Sequence, residues 1–197
     1  MPKMLLTITG PSGSGKTSIL RELTKTYGVS RIVTCTTRHP RLGERNGVDY
    51  HFLTEEQFQG RMMVAPALFA GNHYGINIGD IHKQFQDHDI LAIIVEPSGA
   101  EALKERFVSV HNIYINIDPK MAVAYMARRD GWAKAKKRQK ADVEGGLYYD
   151  KLFEAAEKYD CIIRNDKSNN VRNMARDIMY YAEAQKWLWE MKGKNVA

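Results

Sequence analysis

Two short stretches carry the residue types that handle phosphate. Gly10 to Thr17 reads GPSGSGKT and fits GxxxxGK[ST] at every fixed position. Glycines let such a backbone curl so that successive N–H groups point at phosphate oxygens, and the partial positive charge of the following helix adds to the attraction. Ser12, Gly13, Ser14 and Gly15 would form the cradle, Lys16 would reach the β- and γ-oxygens, and the Thr17 hydroxyl would ligate Mg²⁺. Further on, TTRHPRLGERNGVDYHF runs from Thr36 to Phe52 and sets Arg38, Arg41 and Arg45 close together ahead of Tyr50. Arg38 and Arg41, three apart in a loop, can grip one dianionic phosphate with forked bonds, and the Tyr50 hydroxyl can donate to the same group. Arg45 reads as solvated. One phosphate site binds, whereas two open the way to transfer.

The elements that must position these stretches follow from the apolar pattern. Lys3 to Thr9 reads as a buried strand entering the glycine loop, and Ser18 to Tyr27 reads as the helix leaving it. Arg31 to Cys35 looks like a second strand. Thr54 opens a capping box ending at Gln57, ahead of a short helix. A turn at Gly71 and Asn72 joins two further strands, and a helix is expected over residues 78–86. The run DILAIIV, Asp89 to Val95, is continuous and apolar, as in a parallel strand covered on both faces. Ser98 is expected to cap the next helix. Asn112 to Ile117 is strand again, Asp118 and Pro119 start a helix through Arg129, residues 148–158 read as helix, Cys161 to Arg164 as strand, and Val171 to Met191 as a closing helix. This alternation over 197 residues predicts one α/β unit with a mostly parallel sheet.

Composition narrows the classes. The net charge of +6 is concentrated: seven basic residues lie between Arg128 and Lys140 against one acid, Asp130. A single basic segment suits a phosphate-facing flap or a solvated helix better than a broad polynucleotide groove. No apolar run approaches the roughly 20 residues of a membrane span, and no secretory core is present, so a cytoplasmic protein is expected. Cys35 and Cys161 have no CxxC spacing, and the histidines show no ligand spacing, which argues against a zinc site or a disulfide framework. In the last helix Met174, Ile178, Tyr181 and Leu188 read as core-facing, with Trp187 and Trp189 to either side.

The chain resembles the guanylate kinases, nucleoside-monophosphate (NMP) kinases of the P-loop class. The likeness rests on GPSGSGKT, on TTRHPRLGERNGVDYHF, on GNHYG at Gly71 to Gly75, and on IIRND at Ile162 to Asp166. It implies a three-layer P-loop NTPase fold with a core (1–35, 75–128 and 146–197), an NMP-binding region (36–74) and a lid (about 129–145). It also implies transfer of the γ-phosphoryl of MgATP to GMP or dGMP. Arg38, Arg41, Tyr50 and Tyr74 then hold the acceptor phosphate, while Thr34 and Glu96 lie toward the acceptor nucleoside. Arg129 and Arg138 serve as lid cations, and Asn165 lies beside the donor adenine. Where guanylate kinases carry a guanine-reading glutamate, nine residues before the tyrosine matched by Tyr74, this chain has Ala65, and Ile76 replaces a hydroxyl residue. The family's two-acid strand end reads Ile93-Ile94-Val95-Glu96. Relaxed base selectivity is therefore expected, with a different or modified-base monophosphate as the alternative acceptor. A non-catalytic guanylate-kinase-like module is a further alternative, but it would have no need of an intact GK[ST].

Overall fold

In chain order the first elements are β1 (Met4–Thr9), α1 (Lys16–Tyr27), β2 (Ser30–Arg31), β3 (Cys35–Thr36), β4 (His51–Phe52), α2 (Glu55–Gln59), β5 (Met63–Phe69), β6 (Asn72–Asn77) and α3 (Ile78–Asp87). They are followed by β7 (Ile90–Ile94), α4 (Pro97–Lys104), β8 (Val110–Ile117), α5 (Pro119–Asp130), α6 (Trp132–Glu144), α7 (Leu152–Ala156), β9 (Cys161–Asn165) and α8 (Val171–Lys194). The computed structural model describes residues 3–40, 43–69, 71–149 and 152–194.

Every residue of β1 is buried, and its place explains why. It is the middle strand of a five-stranded sheet ordered β2-β7-β1-β8-β9, in which every pairing is parallel. Strand side chains alternate between faces. Met4, Leu6 and Ile8 meet Ile19, Leu20 and Leu23 of α1 and Met174 and Ile178 of α8. Leu5 turns the other way with Leu91 and Ile93, toward Ile81 of α3 and Leu103 of α4. The result is three layers, with helices on both faces of a parallel sheet. Each fully buried Leu or Ile contributes about 1.5–3 kcal/mol. Two polar residues of β1 are accommodated by bonding: the buried Thr7 hydroxyl donates to Asn112 Oδ1 at 2.6 Å, and Thr9 to the Ile113 carbonyl at 3.3 Å.

The strand expected over residues 31–35 is two strands in two sheets. Ile32 still donates its N–H to Ala92 O of the core sheet at 2.9 Å, but Thr34 O already accepts the His51 N–H at 2.8 Å. Periodicity cannot report this change of partner, because side-chain alternation continues through it. The second sheet runs β4-β3-β6-β5. In it β3 lies between β4, parallel, and β6, antiparallel, with Thr36 opposite both Phe52 and Tyr74. The β5–β6 hairpin is interrupted by a bulge between Val64 and Ala67, where Ala65 takes φ 47°.

Helix starts follow local chemistry. Thr54 and Gln57 form the full capping box of α2. Asp118 caps α5 through the N–H groups of Lys120 and Met121, with Pro119 at the first helical position. The helix expected to begin at Ser98 instead begins at Pro97, with Glu96 as its N-cap residue and no side-chain capping bond. Residues 148–158 condense to the short α7, and the basic segment becomes α6. Among the described residues no helix is long and apolar enough to cross a membrane.

Candidate functional site

The glycine loop leaves β1 at the C-terminal edge of the parallel sheet, the edge at which open α/β sheets hold ligands. Its shape requires glycine at two close approaches. A Cβ on Gly10 (φ 136°) would lie 2.6 Å from Ile115 O, and one on Gly13 (φ 81°) 2.6 Å from Ala122 O. The loop is thus pressed against β8 and α5. Gly15, also left-handed, ends the loop as the N-cap residue of α1.

Lys16 curls back along the loop, donating to Gly10 O at 2.6 Å and Pro11 O at 2.9 Å. Burial pushes its pKa below the usual lysine value, and the carboxylates of Glu96 and Asp142 act in the opposite direction. The Glu96 charge is therefore felt at Lys16, while the family resemblance gives its acid a place toward the metal as well as the acceptor. Asn165, at the end of β9, donates its amide to Ser14 O at 2.8 Å, so this side chain braces the loop.

A cleft of about 440 Å³ opens over the loop, lined by Gly13, Gly15, Lys16, Thr17, Arg129 and Asn165. Tyr125, Asn169 and Asn170 also line it. Sequence reading missed these three, and only Tyr125 carried a signal, lying one helical turn before Arg129 on α5. Asn170 caps α8 by accepting the Asn173 N–H at 3.0 Å, placing a helix N-terminus on the far wall of the cleft. Ser12 and Ser14 do not line it. Ser12 is turned toward α6, where Asp142 Oδ2 accepts its N–H at 2.8 Å and its hydroxyl lies 3.2 Å from Asp142 Oδ1. Ser14 is fully buried, and its hydroxyl has no partner among the described residues.

Above the cleft, Arg129 and Arg138 share one carboxylate. Asp130 receives Arg129 at 3.1 and 2.8 Å and Arg138 at 3.0 Å. The hydrogen-bonded Arg129 guanidinium, aided by the charges of Arg129 and Arg138, holds the Asp130 carboxyl below the usual range. Arg138 is brought beside Arg129 but does not itself line the cleft.

The arginine stretch leads to a different place, the second sheet. Arg38 donates from Nη1 to His39 O at 2.6 Å and from Nη2 to Glu44 Oε1 at 2.9 Å. Its guanidinium lies 5.6 Å from the Tyr50 ring centre and 5.7 Å from that of Phe52. Tyr50 and Tyr74 meet edge to face at 6.2 Å, completing a cationic-aromatic cradle. Thr34 sits at the entry to β3, its carbonyl used by His51. Arg41 lies outside the described residues. Arg45 is exposed, as expected of a solvated side chain.

The two positions that depart from the family pattern are filled by packing. Ile76 is 4% exposed and belongs to the apolar cluster of Val64, Leu91 and Ile93. Ala65 packs at the edge of the same cluster, and a Cβ on Gly99 of α4 would lie 3.9 Å from that of Ala65. Neither presents a polar group.

Comparison with known proteins points one way. The sequence profile of the guanylate kinase family matches residues 3–181. Guanylate kinase from Malacoplasma penetrans is 32% identical over 192 residues, 89% of this chain and 92% of that one. The enzyme from Symbiobacterium thermophilum is 30% identical over 190 residues, 87% and 90% of the two chains. A shorter match, 33% identical to the guanylate kinase of Prochlorococcus marinus subsp. pastoris, spans 57% of this chain and 64% of that one. Among solved structures, guanylate kinase from Anaplasma phagocytophilum superposes with a TM-score of 0.61 at 21% identity, covering 93% of this chain and 86% of that one.

Proposed function

The chain belongs to the guanylate kinase family and is an ATP:GMP phosphotransferase, and from that premise we propose how its own residues divide the work. Two anion sites on one α/β frame carry the reading: the glycine loop with Lys16, and Arg38 in its tyrosine cradle. Phosphoryl transfer asks little covalent chemistry of a protein, so the contribution is alignment and charge stabilisation.

On the donor side, the N–H groups from Gly13 to Thr17 receive the ATP phosphates. Lys16 exchanges its two loop carbonyls for β- and γ-oxygens. The oxygen donors available suit a hard cation: the Thr17 hydroxyl, on the cleft wall, would hold Mg²⁺, with Glu96 assisting through water. The ion would neutralise charge on the phosphate oxygens. On the acceptor side, Arg38, Arg41, Tyr50 and Tyr74 hold the GMP phosphate, with Thr34 and Glu96 toward its nucleoside. Residues 36–74 act as the NMP-binding region and about 129–145 as the lid. Arg129 and Arg138 cover the migrating group and keep water out. Exchanging Asp130 for a phosphoryl oxygen would place both cations where negative charge develops.

The test is a coupled assay of MgATP with GMP on the wild type and on Lys16→Ala. Removing one preorganised charge-stabilising donor costs roughly 10²–10³ in kcat, and a lysine serving two phosphates should cost at least as much, with the fold intact by circular dichroism. A folded Lys16→Ala protein with near-wild-type turnover would sink this division of labour.

A further inference from the structure

Asp142 is only 8% exposed, an unusual place for a carboxylate unless it is paired. Its partners are not cations of its own helix. They are the N–H and the hydroxyl of one residue of the glycine loop, Ser12, at 2.8 and 3.2 Å, 130 positions away in the chain. Tyr148, where the chain returns from α6 to the core, has a buried hydroxyl without a partner among the described residues, and burial followed by the Asp142 charge raises its pKa. The next loop residue, Gly13, is met closely by Ala122 and Met126 of α5. Two adjacent loop residues are therefore gripped by the two arms of one helical hairpin, hinged at Gly131 and sharing the small apolar seam of Val123, Met126 and Ala135.

The position of Asp142 along α6 is informative. Residues four apart share a helix face, so Asp142 lies on the same face as Arg138. Fixing Asp142 to the glycine loop also fixes Arg138, one turn earlier on α6, where it meets Asp130. Asp130, at the end of α5, receives both Arg138 and its neighbour Arg129, so the docking of α6 through Asp142 sets where Arg138 joins Arg129. Ser12, with both its polar groups given to Asp142, belongs to this anchorage.

We propose that Asp142 is a positioning residue for phosphoryl transfer: by accepting the Ser12 N–H and hydroxyl it locks α6 to the glycine loop and holds Arg138 beside Arg129. The proposal rests on the phosphotransferase reading. It assigns α6 a fixed pivot near its C-terminal end, about which the rest of the hairpin closes.

The experiment combines steady-state kinetics with amide hydrogen exchange on the full chain. Hydrogen bonds to a charged group are strong enough that losing both should lower kcat roughly ten- to a hundredfold in Asp142→Ala. The GMP KM should stay within about threefold, since the cradle lies on the other sheet. Amides of α6 should exchange faster, with those of β1 and α8 unchanged. Asp142→Asn can accept from the Ser12 N–H and donate to its hydroxyl, so it should restore kcat to within a few fold. The tether is overturned by an Asp142→Ala kcat within twofold of wild type, by unchanged exchange in α6, or by an asparagine variant as impaired as the alanine one. If Asp142→Ala does not fold, Ser12→Ala removes the hydroxyl leg alone; a two- to tenfold loss of kcat is expected, and an unchanged kcat overturns the proposal. Exchange is measured without nucleotide and judges the tether by itself, whereas a wild type inactive on GMP would refute the phosphotransferase reading.

Discussion

Arg38 illustrates how much one side chain is asked to do. Its side chain is 14% exposed, paired with Glu44 and packed against two aromatic rings, so its guanidinium is already aimed and partly desolvated before a ligand arrives. Truncating one partner of a desolvated charge pair costs on the order of 2–5 kcal/mol. Arg38→Ala is therefore expected to raise the GMP KM at least thirtyfold with the ATP KM within about twofold, read from initial rates with each substrate varied. Arg38→Lys should recover little, because a lysine cannot form a forked pair or stack on Tyr50. A second expectation concerns the base. Buried polar groups discriminate because the wrong base leaves them unpaired, and sites built that way reject analogues by about 10⁴ or more. Ala65 and Ile76 offer only apolar packing. GMP should remain preferred, with its kcat/KM exceeding that of competing monophosphates by no more than a few hundredfold. A preference beyond about 10⁴ would show that another group has taken over the reading.

At the scale of elements, the α5–α6 hairpin stands apart from the sheet layers. Its basic residues are not an undirected positive surface, because Asp130 gathers two of them above the cleft. A lid cation that engages mainly in the transition state should act on kcat. Arg138→Ala is expected to lower kcat about ten- to a thousandfold and to change either KM less than fivefold. The loss should fall short of the roughly 10³–10⁵ of a lone arginine finger, since Arg129 remains. Presteady-state measurement of the transfer step would separate this from slowed product release. An unchanged kcat would return Arg138 to the role of a solvated charge.

For the molecule as a whole, the free thiols report on how tightly the layers close. Cys35 is fully buried at the start of the second sheet, and burial raises its pKa. Cys161, at the start of β9, is pushed up to about 11 by burial and by the nearby acids Asp177 and Asp160. The thiolate is the reactive form, and at pH 8 a thiol of that pKa is only about 0.1% ionised. Iodoacetamide at pH 8 should therefore label the native protein roughly a hundredfold more slowly than the denatured chain, followed by mass spectrometry. Rapid native labelling of Cys35 would mean that the second sheet opens readily from the core.

What the amino-acid order determined by itself was whatever local chemistry can specify. The glycine loop was legible because left-handed turns and close approaches exclude side chains, the capping box at Thr54 because its hydrogen bonds span three residues, and the core strands because full burial demands unbroken apolar runs. That Arg38, Tyr50 and Tyr74 lie together was legible from residue type and resemblance, although their aromatic packing was not. Tertiary structure alone decided the rest. It split residues 30–36 between two sheets, because a strand's partner is a non-local choice that side-chain alternation does not record. It turned Asn165 into a brace for Ser14, joined Arg129 and Arg138 through Asp130, and gave Ser12 to Asp142. The Ser14 and Ser12 contacts join segments far apart in sequence, because a donor or acceptor taken from water must find a partner wherever folding brings one, whereas the exposed Arg138–Asp130 pair forms because the hairpin folds α6 back on α5.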